Sequence, residues 1–94
     1  MRGLSILAKI LVNVNMFNLN QNIFIEEHGE IKPVASVPMD QISDLIITFK
    51  DVDEIEINGN QNFIEKIGME VLDKYKQKHS NTNVRFKLNG KVFN

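Results

Sequence analysis

Residue types and spacing that could do chemistry occur first in Asn58-Gly59-Asn60-Gln61-Asn62. The segment follows an alternating run and precedes a helical one. Open α/β sheets bind ligands at that strand-to-helix position, and free backbone amides there suit an anion. Asn58, Gly59, Asn60 and Asn62 are therefore candidate ligand-binding residues. No Lys-Ser or Lys-Thr follows the glycine, so the segment is not a P-loop. A loop that merely caps a helix explains the same residues, and it is the plainer reading.

Other clusters carry less. Glu26-Glu27-His28 offers two ligand types in one turn, but the only other histidine is His79, and a solvated hairpin tip accounts for it. Asp51-x-Asp53-Glu54-x-Glu56 is the densest acidic patch. It lacks the glycine and terminal glutamate of a calcium loop, and alternation sends Asp53 to the opposite side from Glu54 and Glu56. No metal site or cofactor is expected. Ser5, Ser36, Ser43 and Ser80 have no nucleophile-elbow context, and neither histidine has an apolar pocket pattern around it. Cysteine is absent, which removes disulfides, thiol catalysis and cysteine-built metal sites.

Charge is uneven along the chain. Residues 26–56 carry nine acids and two lysines, whereas residues 65–91 carry seven basic residues and three acids. Lys74, Lys76, Lys78, Arg85, Lys87 and Lys91 could follow a phosphate backbone, but only Tyr75 and Phe86 interleave with them and both read as core. Nucleic-acid binding is disfavoured. Cross-strand ion pairs of Glu54 and Glu56 with Arg85 and Lys87 are expected instead.

The elements that must position these residues follow from periodicity. Residues 4–16 alternate strictly, with Leu4, Ile6, Ala8, Ile10, Val12, Val14 and Met16 on one face, which predicts a long first strand. The asparagine-rich 18–22 stretch is turn material, 22–28 a second strand, and 31–37 a third, which Pro33 places at an edge or makes begin late. Pro38 opens a helix of about three turns carrying Met39, Ile42, Leu45, Ile46 and Phe49. Residues 53–58 alternate as a fourth strand. Asn60 or Asn62 caps a long helix whose stripe is Phe63, Ile64, Ile67, Val71, Leu72 and Tyr75, and Gly68 inside that stripe permits close approach to the sheet. Val84, Phe86 and Leu88 make a fifth strand. Asn89-Gly90 is a hairpin dipeptide with little chain left to pair back. The order β-β-β-α-β-α-β predicts a two-layer α/β (α+β) sandwich, with a five-stranded mixed sheet and both helices mainly on one face.

Ninety-four residues, 43% hydrophobic and 24% charged, make a single domain over 1–94 and exclude the disordered and fibrous classes. A net charge of −1 provides no global field for nucleic acid or membrane. Twelve asparagines, twelve isoleucines and nine lysines against two arginines fit the codons of a low-GC bacterium, its phages or mobile elements. Lys9 interrupts the first apolar run and no cleavage site follows, so a cytoplasmic address without a membrane span is expected.

Three antiparallel strands followed by αβαβ resemble the core of the ribonuclease-H-like superfamily, which includes resolvases and actin-like ATPases. The resemblance covers about residues 6–88 and is one of topology. Nucleases of that superfamily place one acid on the first strand and another at the end of the fourth, clamping two metal ions. This chain has Asn13 and Asn15 on the first strand, and Asn58 ends the fourth. The actin-like phosphate loop is replaced by Phe17-Asn18-Leu19-Asn20-Gln21, without glycine. The resemblance thus implies the fold and not the chemistry.

A non-enzymatic protein-interaction module is therefore expected, acting on a host or sister protein. The alternatives are a small-ligand or anion site, or a small enzyme, on the 58–62 loop, and a weak nucleic-acid binder. Two helices leave one sheet face uncovered, so Leu7, Leu11 and Phe17 are candidate interface residues of a homodimer built on that face or on an edge of the long first strand.

Overall fold

The computed structural model describes residues 8–79 and 83–93. Its strands are β1 (Ala8–Asn13), β2 (Asn20–Glu27), β3 (Glu30–Pro38), β4 (Glu54–Asn58), β5 (Arg85–Leu88) and β6 (Lys91–Val92). A 3-10 turn over Met39–Gln41 leads into α1 (Ile42–Ile46), and α2 spans Gln61–Lys78. One mixed sheet holds the strands in the order β3-β2-β1-β4-β5-β6. β1, β2 and β3 are successively antiparallel, while β4 lies parallel to both β1 and β5. The α+β class is as expected.

The strand count is not: six replace the expected five. Asn89 and Gly90 take φ of 49° and 84°, a tight turn with both central residues left-handed. Lys91 and Val92 then pair back on Leu88 and Lys87. A two-residue turn needs no longer return. The first helix also differs, because three expected turns are reduced to the 3-10 turn and five α-helical residues. Ile46, Ile47 and Thr48 are β-branched and lose side-chain freedom in a helix. Thr48 Oγ1 donates to the Leu45 carbonyl at 2.7 Å, and the Phe49 amide donates to Ile46, closing the element with tight i−3 bonds. Pro38 ends β3 and is the N-cap of the 3-10 turn, so it stands just before the first turn and not within it.

β3 is an edge strand, as Pro33 requires, and its pairing with β2 is interrupted between Ile23 and Phe24. One sheet face packs Ile10, Val12, Ile23, Ile55, Ile57 and Phe86 against Ile42, Ile46, Ile64, Val71 and Tyr75 from the helices, all buried. Gly68 is buried on that seam, where a Cβ would come within 2.7 Å of the Leu88 side chain. The Tyr75 hydroxyl donates to the Phe49 carbonyl at 2.9 Å, and burial, with Asp51 nearby, pushes its pKa up.

Candidate functional site

Because β1, β4 and β5 run parallel, their carboxyl ends meet at one end of the molecule, where β2 and α2 begin. Nine of the twelve asparagines lie there: 13, 15, 18, 20 and 22 around the β1–β2 turn, 58, 60 and 62 between β4 and α2, and 89 after β5. Segments 10–25, 57–64 and 88–90, which meet at this end, contain no charged residue.

The β1–β2 turn is built around Gln21, which is 1% exposed. Its Oε1 accepts from the Asn15 amide at 2.7 Å, and its Nε2 donates to the carbonyls of Asn15 and Asn18 at 2.9 and 3.1 Å. Asn15 Oδ1 in turn accepts from the Phe17 amide at 2.9 Å. A buried amide satisfied three times resists rearrangement, since each bond lost would leave a desolvated polar group. Outside this clamp stand two large apolar side chains, Phe17 at 89% and Leu19 at 92% exposed, with Met16 half-exposed beside them. Gln21 was not singled out from the sequence. The signal was present: Gln21 falls in step with Ile23 and Ile25, a polar residue on the apolar face of an alternating strand.

The 58–62 loop is organised from within. The Gly59 amide donates to Asn89 Oδ1 at 3.0 Å, and Asn89 Nδ2 donates to the Gly59 carbonyl and to Gln61 Oε1. Asn60, not Asn62, caps α2: its side chain accepts from the Asn62 amide, and its carbonyl accepts from Phe63 and Ile64. Gly59 has φ of 151°, and a Cβ there would lie 2.7 Å from the Val14 carbonyl oxygen, so close packing of β4 on β1 explains the glycine. Asn58 Nδ2 donates to Asn13 Oδ1 at 3.4 Å, leaving Asn58 Oδ1 buried without a hydrogen-bond partner. That spare atom is an acceptor, the wrong polarity for an anion.

Leu11 lies half-buried on the open face of the sheet, in register with Phe24 of β2 and Glu56 of β4. Phe17 stands in the turn beyond the end of that strand, so the two do not share a face. Leu7 lies outside the described residues. Arg85 and Lys87 both reach Glu54, at 3.8 and 3.5 Å, as cross-strand alternation predicts, whereas Glu56, expected in the same group, is paired with Lys9. Lys9 completes the group at 2.6 Å from Glu56 and 3.3 Å from Glu54. The hydrogen bond to Glu56, assisted by Glu54, outweighs burial and holds the Lys9 pKa above its ordinary 10.5.

Lys74 Nζ donates to Ser43 Oγ at 3.1 Å, a contact that resembles a nucleophile with its base. Asp44 and Glu70 also bind that ammonium and raise its pKa, whereas a general base must give up its proton near neutrality. His79 bonds the Ile47 carbonyl and stacks on Tyr75, and His28 sits at the β2–β3 turn with φ of 55°. Among the described residues no three His, Asp or Glu side chains converge as metal ligands, and no helix is long and apolar enough to cross a membrane. A shallow cleft of about 570 Å³ between α2 and β6, lined by Gln61, Glu65, Leu88, Asn89, Lys91 and Phe93 among others, adjoins the amide-rich loop.

Compared with known proteins, the chain matches no family model, no curated protein and no solved structure.

Proposed function

We propose that this chain is a non-enzymatic protein-interaction module that binds through its amide-rich carboxyl end. The observation that carries the reading is the Gln21 clamp beneath Phe17 and Leu19. Two large apolar side chains are held almost wholly in water by a turn that cannot fold back over them. Preorganised aromatic and aliphatic anchors contribute most of the energy of protein interfaces, because little freedom is lost when they dock. A role as an anion site has less support, since the Gly59, Asn62, Phe63 and Ile64 amides already have acceptors within the loop.

The ribonuclease-H-like resemblance stays topological in this reading. Antiparallel β1 to β3 with parallel β1, β4 and β5 supports it, while Asn13 and Asn58 offer no charge for magnesium. The asparagine- and isoleucine-rich, arginine-poor composition supports a source in a low-GC bacterium, a phage or a mobile element.

Affinity capture from extracts of the cells that make the protein tests the proposal, with wild type and a Phe17→Ser/Leu19→Ser variant compared side by side. Protein retained by wild type and lost by the variant, at equal melting temperature, is the expected result. Equal retention by both would overturn it.

A further inference from the structure

We propose that the occupant of the Phe17 and Leu19 surface is a second copy of this chain, paired across a two-fold axis at the carboxyl end. The inference rests on the interaction reading above and gives it a partner. On a two-fold axis every group near the centre meets its own copy, so a lysine would face a lysine and a glutamate a glutamate. An amide meeting an amide has no such penalty, because each carries both donors and acceptors. The chain has 23 charged side chains, yet none between Lys9 and Glu26, the stretch that carries the turn and its two strands. Asn13, Asn15, Asn18 and Asn20, all exposed, flank the apolar pair along the chain with self-complementary groups. A different protein partner would more usually be chosen by opposite charge, and the turn itself has none to offer, Asp40 and Glu65 standing outside it beyond Pro38 and Gln61.

The area is of the right order. Met16, Phe17 and Leu19 together present roughly 400 Å² of apolar surface, about half of the ~800 Å² per partner of a standard interface. The surrounding amides provide a polar remainder, and a little over half apolar is the ordinary make-up of such interfaces. In an isologous contact Phe17 of one copy packs on Leu19 of the other, and the reverse, so one short turn is used twice.

Sedimentation equilibrium between about 1 and about 200 µM, at low and high sodium chloride, tests this. Wild type should reach twice 10.8 kDa, with a dissociation constant that changes less than about twofold with salt, since no charge is paired. Phe17→Ser/Leu19→Ser should weaken self-association at least about tenfold without lowering the melting temperature, as both positions are exposed. Asn18→Lys, which sets like charges facing each other, should weaken it at low salt and regain much of the loss at high salt. Leu11→Lys on the open sheet face should still pair. A wild type of one-chain mass throughout would overturn self-pairing while leaving the interaction reading to the capture experiment. Wild-type monomers that float with phosphatidylcholine vesicles would assign the turn to a lipid surface and overturn it too. So would a dimer lost in Leu11→Lys but kept in Phe17→Ser/Leu19→Ser.

Discussion

The open face of the sheet and its carboxyl end are both polar, yet they treat polarity in opposite ways. On the open face, Lys9, Glu54, Glu56, Arg85 and Lys87 are gathered so that each charge is met by another within the same chain. In the β1–β2 turn at the carboxyl end charge is absent, amides take its place, and apolar side chains stand outside them. A face whose charges are already paired has little left to offer a partner. An end built of neutral groups around exposed Phe17 and Leu19 has contacts still to make. Richness in polar residues therefore does not identify a binding surface; large apolar side chains left in water do.

The comparison can be broken first at the backbone of the carboxyl end. Gly59→Ala would push a methyl to 2.7 Å from the Val14 carbonyl at an unfavourable φ, so a loss of about 2–3 kcal/mol is expected in urea unfolding. An unchanged midpoint would show that β4 and β1 have slack at this end. Gln21→Ala removes three hydrogen bonds from a buried position and should cost about 2 kcal/mol. It should also raise amide hydrogen exchange at residues 15–18 well above that of β4, whereas uniform protection would mean the turn holds without its clamp.

The next variant converts one region into an imitation of the other. Asn13→Asp with Asn58→Asp places two carboxylates where amides touch at 3.4 Å. Each raises the other's pKa above its unfolded value, so stability is kept in acid and lost as pH rises through the pair, by about 1–2 kcal/mol at neutrality. A melting temperature independent of pH between about 3 and 7 would contradict that proximity. The smallest effect is expected at Lys9→Met, about 1 kcal/mol or less, since the pairs are partly solvated. Its sign with pH is the sharper readout. The Lys9 pKa is raised in the fold, so its contribution is complete below the unfolded value near 10.5 and disappears as pH climbs through the folded one. Wild type should lose stability in that alkaline range more steeply than Lys9→Met. Tyr75, also raised, adds the same trend to both proteins and cancels in the comparison.

Much of the fold is written locally. Alternation in β1, β4 and β5, the stripe of α2 apart from exposed Phe63, and Gly68 against the sheet follow from spacing alone, because side-chain direction repeats every 2 or 3.6 residues whatever the neighbours are. The ion pairs of Glu54 with Arg85 and Lys87 were legible for the same reason, once two parallel strands were placed side by side. Local pattern overreached in α1, where helical spacing of apolar residues outlasts the helix because β-branched Ile46, Ile47 and Thr48 close it early. It fell short at β6, whose two residues are too few to show a period.

The candidate site was the least legible part, for a physical reason. Sequence determined that the asparagines exist, that the 58–62 loop caps a helix and that residues 10–25 carry no charge. It did not determine that segments from three distant parts of the chain share one end. Only insertion of β1 between β2 and β4, antiparallel to one and parallel to the other, brings Asn13, Asn58 and Asn89 together. Lys9 reaches Glu54 and Glu56 through the same insertion, and Gln21 becomes a clamp only once the sheet and helices have excluded water around it. Strand order is fixed by burial summed over the whole core, a quantity no window of sequence contains, and the surface left over inherits its chemistry from that choice.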